Sequence, residues 1–315
     1  MLVWITGAHG FIGRHLARYL QSFGYKVAGL GHGSWPETEA TAWGLSSWLN
    51  GDISASNLNQ MRRTLGIPDT VFHLAGGSSV GVAVANPHED FKRTVLSTAE
   101  LLEWLRQSSP KSRLVAVSSA AVYGGAHLGK IAEDAHPSPF SPYGAHKLIM
   151  EELCRSYAVN YGLQVALPRL FSVYGAGLKK QLLWDLCVKL GSGQKIELGG
   201  TGQELRDWID VRDVARNLKS IAQYSSERAP VVNLATGIAT SVREIATTVS
   251  DQWQVLGMPT AEISFSGRSR VGDPFSLIAD VSKMHAEGWG ESHIYVAQGI
   301  RDYIEWYCTY TGVTV

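Results

Sequence analysis

Leu2-Val-Trp-Ile-Thr6-Gly7-Ala-His-Gly10-Phe-Ile-Gly13 is an apolar strand running into three glycines spaced three apart. Such a stretch predicts a strand–turn–helix unit that cradles a pyrophosphate. Gly7 turns the chain at φ > 0, Gly10 leaves no Cβ between backbone and ligand, and Gly13 lets the next helix pack closely on the strand. The helix expected from Arg14 to Phe23, apolar at Leu16, Ala17, Leu20 and Phe23, aims unpaired N–H groups and its positive dipole end at the phosphates. Glycine-rich turns without ligands are common, so the context carries the reading: a strand before, a helix after, and a second strand from Tyr25 to Leu30.

Outward from that unit, 315 residues suit one large α/β domain or a main domain with a smaller one. Charges balance at 28 Lys+Arg against 28 Asp+Glu, so no basic surplus argues for nucleic acid or an anionic membrane. A small molecule is the expected partner. Cys154, Cys187 and Cys308 are odd in number and lack metal-ligand spacing, which fits reduced core thiols and no metal site. A strand starting at Leu2 leaves no room for a signal peptide, and no apolar run has membrane-spanning length; a cytoplasmic protein is expected.

Along the chain, strand and helix alternate. Trp48 to Ile53 is a short strand carrying Asp52, an acid able to read an adenine ring; Asn57 to Leu65 is helical, and Thr70 to Ala75 is a strand. Asp90 to Gln107 reads as a helix, Arg113 to Val117 as a strand, Tyr143 to Tyr161 as a helix, and Gln164 to Pro168 as a strand. This order implies a doubly wound parallel sheet, with ligands at the carboxyl ends of its strands. The glycine turn, Asp52, Ala75, Ser119 and Ser172 all follow strands, so one crevice can collect them. Beyond Pro168 the texture changes to short strands and glycine pairs. Val231 to Ala235 again reads as a buried parallel strand, so the expected division is 1–168 plus 211–236 for a dinucleotide-binding domain and 169–210 plus 237–315 for a smaller lid.

The chemistry lies in Tyr143-Gly-Ala-His-Lys147, a phenol and an ammonium one helical turn apart. An isolated tyrosine, with a pKa of about 10, is a poor base at neutral pH. A nearby lysine charge and an oxidised nicotinamide both favour the phenolate. Ser119, ending the strand before, is placed to hydrogen-bond the same substrate oxygen. The three together move a proton while a nicotinamide carbon gives or takes a hydride.

With these residues in place the chain resembles the extended short-chain dehydrogenase/reductases that act on nucleotide sugars. The resemblance covers nearly the whole chain: Thr6 to Gly13, Gly51-Asp52-Ile53, His73-Leu-Ala-Gly76, Ser118 to Gly124, Tyr143 to Lys147, Arg169 to Gly175, Arg206 to Asp213 and Arg270-Val-Gly-Asp273-Pro. It implies catalysis by Ser119, Tyr143 and Lys147, with Lys147 also on the nicotinamide ribose and Asp52 on the adenine. It further implies dinucleotide contacts from Gly7, His9, Gly10, Phe11, Ile12, Gly13, His32, Ile53, Leu74 and Ala75. For a nucleoside diphosphate sugar it implies Ser79, Ser119, Ser172, Arg206, Arg270 and Asp273, the arginines gripping the pyrophosphate as guanidinium forks suit phosphate oxygens.

Departures from the family pattern narrow the reaction. Ala120 and Ala121 stand where sugar 4,6-dehydratases carry an Asp-Glu pair, and alanine cannot transfer a proton, so dehydration of that kind is not expected. Reduction of a 4-keto sugar and 4-epimerisation both remain. Gly31 stands where NAD-preferring members hold an acid on the adenosine 2′-hydroxyl, which removes an anchor worth roughly 1.5–3 kcal/mol and leaves NAD and NADP both open. On that ground the reductase is placed first and the epimerase second. As relatives often pair, a homodimer is expected through helices around Phe91 to Leu105 and Leu148 to Tyr161.

Overall fold

The computed structural model describes residues 1–193, 195–259, 261–268 and 274–313. Seven strands form an all-parallel sheet in the order Val231–Leu234, Gln164–Leu170, Arg113–Ala116, Thr70–His73, Leu2–Thr6, Lys26–Gly31, Ser47–Asn50, and the short Ser118–Ser119 pairs with Gln164–Leu170. Parallel strands buried on both faces become nearly continuous apolar runs. Accordingly Val3, Trp4, Ile5, Val71, Phe72, Leu114 and Val115 are all buried. The chain runs from Leu2–Thr6 outward to Ser47–Asn50, then returns to Thr70–His73 on the other side. That reversal is the switch point where such sheets open a crevice at their carboxyl ends.

Covering helices include Phe11–Ser22, Ala55–Leu65, Pro142–Tyr161 and Val211–Ile221. Helical residues from 87 to 108 begin three positions earlier than the sequence predicts and include a π-helical stretch, Lys92–Leu96. The apolar period alone does not reveal the extra residue, because Thr94, Val95 and Thr98 are buried by the wider turn.

A second sheet places Leu205–Asp210 between Ala239–Ser241, antiparallel to it, and Ser276–Ala279, parallel to it, with Ser172–Tyr174 and Lys130–Ile131 at its margins. Asp207, fully buried, joins the two sheets by accepting from Thr236 N, Thr236 Oγ1 and Gly237 N at 2.7–2.8 Å. Among the described residues no helix is long and apolar enough to cross a membrane.

Candidate active site

The crevice begins at the first turn. Gly7 donates to Leu30 O at 2.7 Å and accepts from Gly10 N at 2.9 Å. The helix Phe11–Ser22 then starts with no side-chain cap on its first N–H groups, the arrangement that receives an anion. Gly13 explains the tight seating: a Cβ there would lie 2.5 Å from Gly7 O and 2.7 Å from Ala8 Cα. The described residues therefore fit a dinucleotide pyrophosphate.

A buried chain of hydrogen bonds ties this turn to the π-helical stretch. The Thr98 hydroxyl donates to Thr94 O at 2.6 Å, so its oxygen accepts from His73 Nε2 at 2.9 Å. His73 Nδ1 is left to accept from Thr6 Oγ1 at 2.7 Å, and Thr6 Oγ1 accepts from Ala75 N at 3.4 Å. Burial, with the nearby Lys147 charge, lowers the His73 pKa to about 3. An unfolded chain takes up this proton near the ordinary value of 6.5, whereas the folded one resists until about 3. Stability should therefore fall as pH drops through that window, with a slope of up to about 1.4 kcal/mol per pH unit from this group. Urea titrations between neutral and acid pH should show a shallower decline in His73→Gln than in the wild type.

At the far end of the cradle His32 Nε2 lies 2.9 Å from Asp52 Oδ1, both side chains exposed. His32, Asp52, Ile53, Leu74 and Ala75 line the crevice with Gly7, Gly10, Phe11, Ile12 and Gly13. His9 is not among the lining residues; its ring packs 4.8 Å from Trp35 and its Nδ1 lies 3.3 Å from His32 O. Arg14 donates to Glu39 Oε1 at 2.9 Å and to His9 O at 2.8 Å, with its guanidinium over Trp35.

Ser119 ends its strand at the crevice floor. Ser141 caps the helix Pro142–Tyr161 by accepting from Gly144 N, and Pro142 supplies the preset φ of a first turn. That cap brings Tyr143 near enough to Ser119 for the serine side chain to act on the phenol's proton affinity. Lys147, one turn on and buried, donates from Nζ to Val117 O at 2.9 Å. Burial raises the Tyr143 pKa, the Ser119 side chain opposes the rise, and the Asp90 charge adds to it. Burial also pushes Lys147 down to about 8, against the raising effect of Asp90 and Glu151. The phenol thus keeps its proton until a positive charge arrives beside it.

The remaining walls come from the second sheet and its loops. Arg206, Ser79, Ser172, Lys180 and Trp208 line the same crevice, whose volume is about 1950 Å³, room for two nucleotides. Arg206 Nη1 donates to Leu205 O at 2.8 Å. Ser79 caps the helix Val80–Ala85 by accepting from Val82 N. Arg270 and Asp273 lie outside the described residues. Two features escaped the sequence reading. Lys180, whose Nζ donates to Ser78 O at 3.0 Å and whose pKa burial lowers, was signalled only by a cation pair in a loop after a strand. Asp90 and His146, 2.6 Å apart, come from separate helices and carried no joint signal.

Residues 3–235 match the NAD dependent epimerase/dehydratase family. The chain belongs to that family and is an extended short-chain dehydrogenase/reductase enzyme of nucleotide sugars. It is 30% identical to a UDP-glucose 4-epimerase of Streptomyces lividans, across 97% of this chain and 96% of that one. Among solved structures, the Thermus thermophilus UDP-glucose 4-epimerase in complex with NAD is 28% identical with a TM-score of 0.85, covering 98% of this chain and 99% of that one. MoeE5 in complex with UDP-glucuronic acid and NAD is 31% identical with a TM-score of 0.85, covering 98% of this chain and all of that one.

Proposed function

We propose that the protein is an NAD-dependent 4-epimerase of a UDP-hexose. The observation that carries this reading is the Ser119–Tyr143–Lys147 group at the floor of a crevice that also holds the glycine cradle. Epimerase relatives along the full chain support it over the reductase. The order given by the sequence is therefore reversed. Gly31 was its ground, yet Gly31 has φ 157° and packs with Gly7 and Trp48, so local backbone geometry accounts for the missing side chain. NAD is preferred to NADP on the same view: Arg14, the nearest guanidinium for a 2′-phosphate, is engaged by Glu39 and Trp35.

The first sheet, with 1–168 and 211–236, holds the dinucleotide; 169–210 and 237–315 hold the nucleotide sugar. Asp52 and His32 meet the adenosine end, and Arg206, with Arg270, meets the diphosphate. Held by the cradle around Gly7, Gly10 and Gly13, NAD would supply reversible hydride transfer at sugar C4. Tyr143 takes the 4-hydroxyl proton and gives it back, Ser119 holds that oxygen, and Lys147 stabilises the phenolate. Rotation of the resulting 4-keto sugar between the two transfers inverts C4. Ala120 and Ala121 also line the floor and offer no proton-transferring group for dehydration.

The expected result is NAD released in stoichiometric amount on denaturation, and interconversion of UDP-glucose and UDP-galactose with no added cofactor. Turnover of UDP-glucuronic acid instead keeps the epimerase and changes the sugar. Consumption of added NADH or NADPH by a 4-keto sugar overturns the reading in favour of reduction.

We also propose pairing into a homodimer. Many apolar residues of the two implicated helices, among them Leu102, Leu105, Met150 and Cys154, serve the protein's own core, while Leu96, Ile149 and Tyr161 remain exposed. Light scattering at micromolar concentration is expected to give twice the chain mass.

A further inference from the structure

We propose that Asp90, held by His146, is a positioning residue whose carboxylate sets the pH range over which Tyr143 and Lys147 exchange their proton. The inference rests on the roles given to that pair above. Asp90 is buried, and its Oδ2 lies 2.6 Å from His146 Nδ1, the residue beside Lys147. Phe91 packs edge-on against the imidazole at 5.5 Å. The other carboxylate oxygen presses on the crevice lining: a Cβ on Gly77 would fall 1.8 Å from Asp90 Oδ1. The next residue, Gly76, lies so close to Lys147 Nζ that its Cβ would sit 3.3 Å from it. Asp90, the glycine loop and Lys147 are thus in one packed row.

The other ionisable groups around the pair are accounted for. His73, from the strand Thr70–His73, is neutral over the working range. Cys154, on the same helix as Lys147, is pushed up to about 12 by burial and is also neutral. Glu151, one turn beyond Lys147, accepts from Arg169 at 2.8 and 2.7 Å and from Arg155 at 2.9 Å, so its charge is balanced in place. On the element of Asp90 itself, Glu89 is paired with Arg93, with His88 and Lys92 on the same turn. Asp90 meets His146 on one oxygen and Gly77 on the other, and its charge raises the pKa of both Tyr143 and Lys147.

A negative charge beside two coupled groups raises both of their proton affinities, whichever limb of a pH profile each is assigned to. In Asp90→Asn, which preserves shape and the acceptor for His146, both limbs of the kcat profile should move to lower pH by roughly half a unit to one unit. Asp90→Glu should return them towards the wild type even if kcat is reduced. A readout free of turnover is the tyrosinate ultraviolet titration of each protein minus that of its Tyr143→Phe counterpart. Its midpoint should drop in Asp90→Asn by a similar amount. Unmoved limbs and midpoint, or movement to higher pH, overturn the proposal and leave Asp90 as packing. The titration stands whether or not the true reaction is epimerisation, so the two readings fail separately.

Discussion

Tyr143→Phe should lower kcat by about 10²–10⁴-fold, the range general acid–base catalysis contributes, while NAD remains bound. Only the phenol oxygen is removed. The ring stays in the first turn fixed by Ser141 and Pro142, and Ser119 stays at its strand end. None of the cradle around Gly7 and Gly13 is touched. The measurements are steady-state epimerisation and the NAD released on denaturation, compared with the wild type. Unchanged turnover on the true substrate removes Tyr143 from the mechanism.

The largest effect on stability should come from Glu151→Ala. Glu151 is fully buried and accepts from Arg169 Nε and Nη2 and from Ser118 Oγ at 2.6 Å, while the Arg169 guanidinium lies over the Tyr123 ring. Removing the carboxylate strands the buried Arg169 charge, at a cost of about 3–5 kcal/mol, read as a fall in the urea midpoint. The pH dependence has a definite sign. Burial alone raises the Glu151 pKa, but the bonds and charge of Arg169, with Ser118 and Arg155, outweigh it and hold the group below its ordinary 4.5. A carboxylate depressed in the folded state gives stability that is present above the unfolded value and lost as pH falls through the folded one. The difference between wild type and Glu151→Ala should therefore narrow in acid.

Much of the sheet was legible because each parallel strand is a short apolar run closed by a glycine, an acid or a serine, as in Leu2 to Gly7 and Arg113 to Ser119. Tyr143, Lys147 and Ser119 were legible because one helical turn and one strand end suffice to bring them together. Lys180 was not, because its place depends on where a loop of the second sheet folds back to Ser78. Nor was the Asp90–His146 contact, which spans 56 positions of sequence and two packed helices. The absence of His9 from the crevice lining was hidden for a similar reason: its ring packs against Trp35, a tryptophan from the loop after the second strand. The preference drawn from Gly31 failed because a missing side chain was read as chemistry when the backbone there already disfavours one.

The π-helical stretch Lys92–Leu96 gives this side of the active site a residue to spare. Everything after it is anchored, since Leu101, Leu102 and Leu105 are locked in the core. Losing any one residue between 92 and 96 would let the widened turn relax to ordinary α-helix. Everything before it would then keep its face, whereas one residue lost from a helix that is α throughout turns the preceding segment by about 100° around the axis. Asp90 would therefore stay against His146 and Gly77. A chain shortened by one residue within the stretch should thus keep the pH behaviour that Asp90→Asn loses, while one shortened within Ser97–Ser108, which has no surplus residue to give up, should lose it.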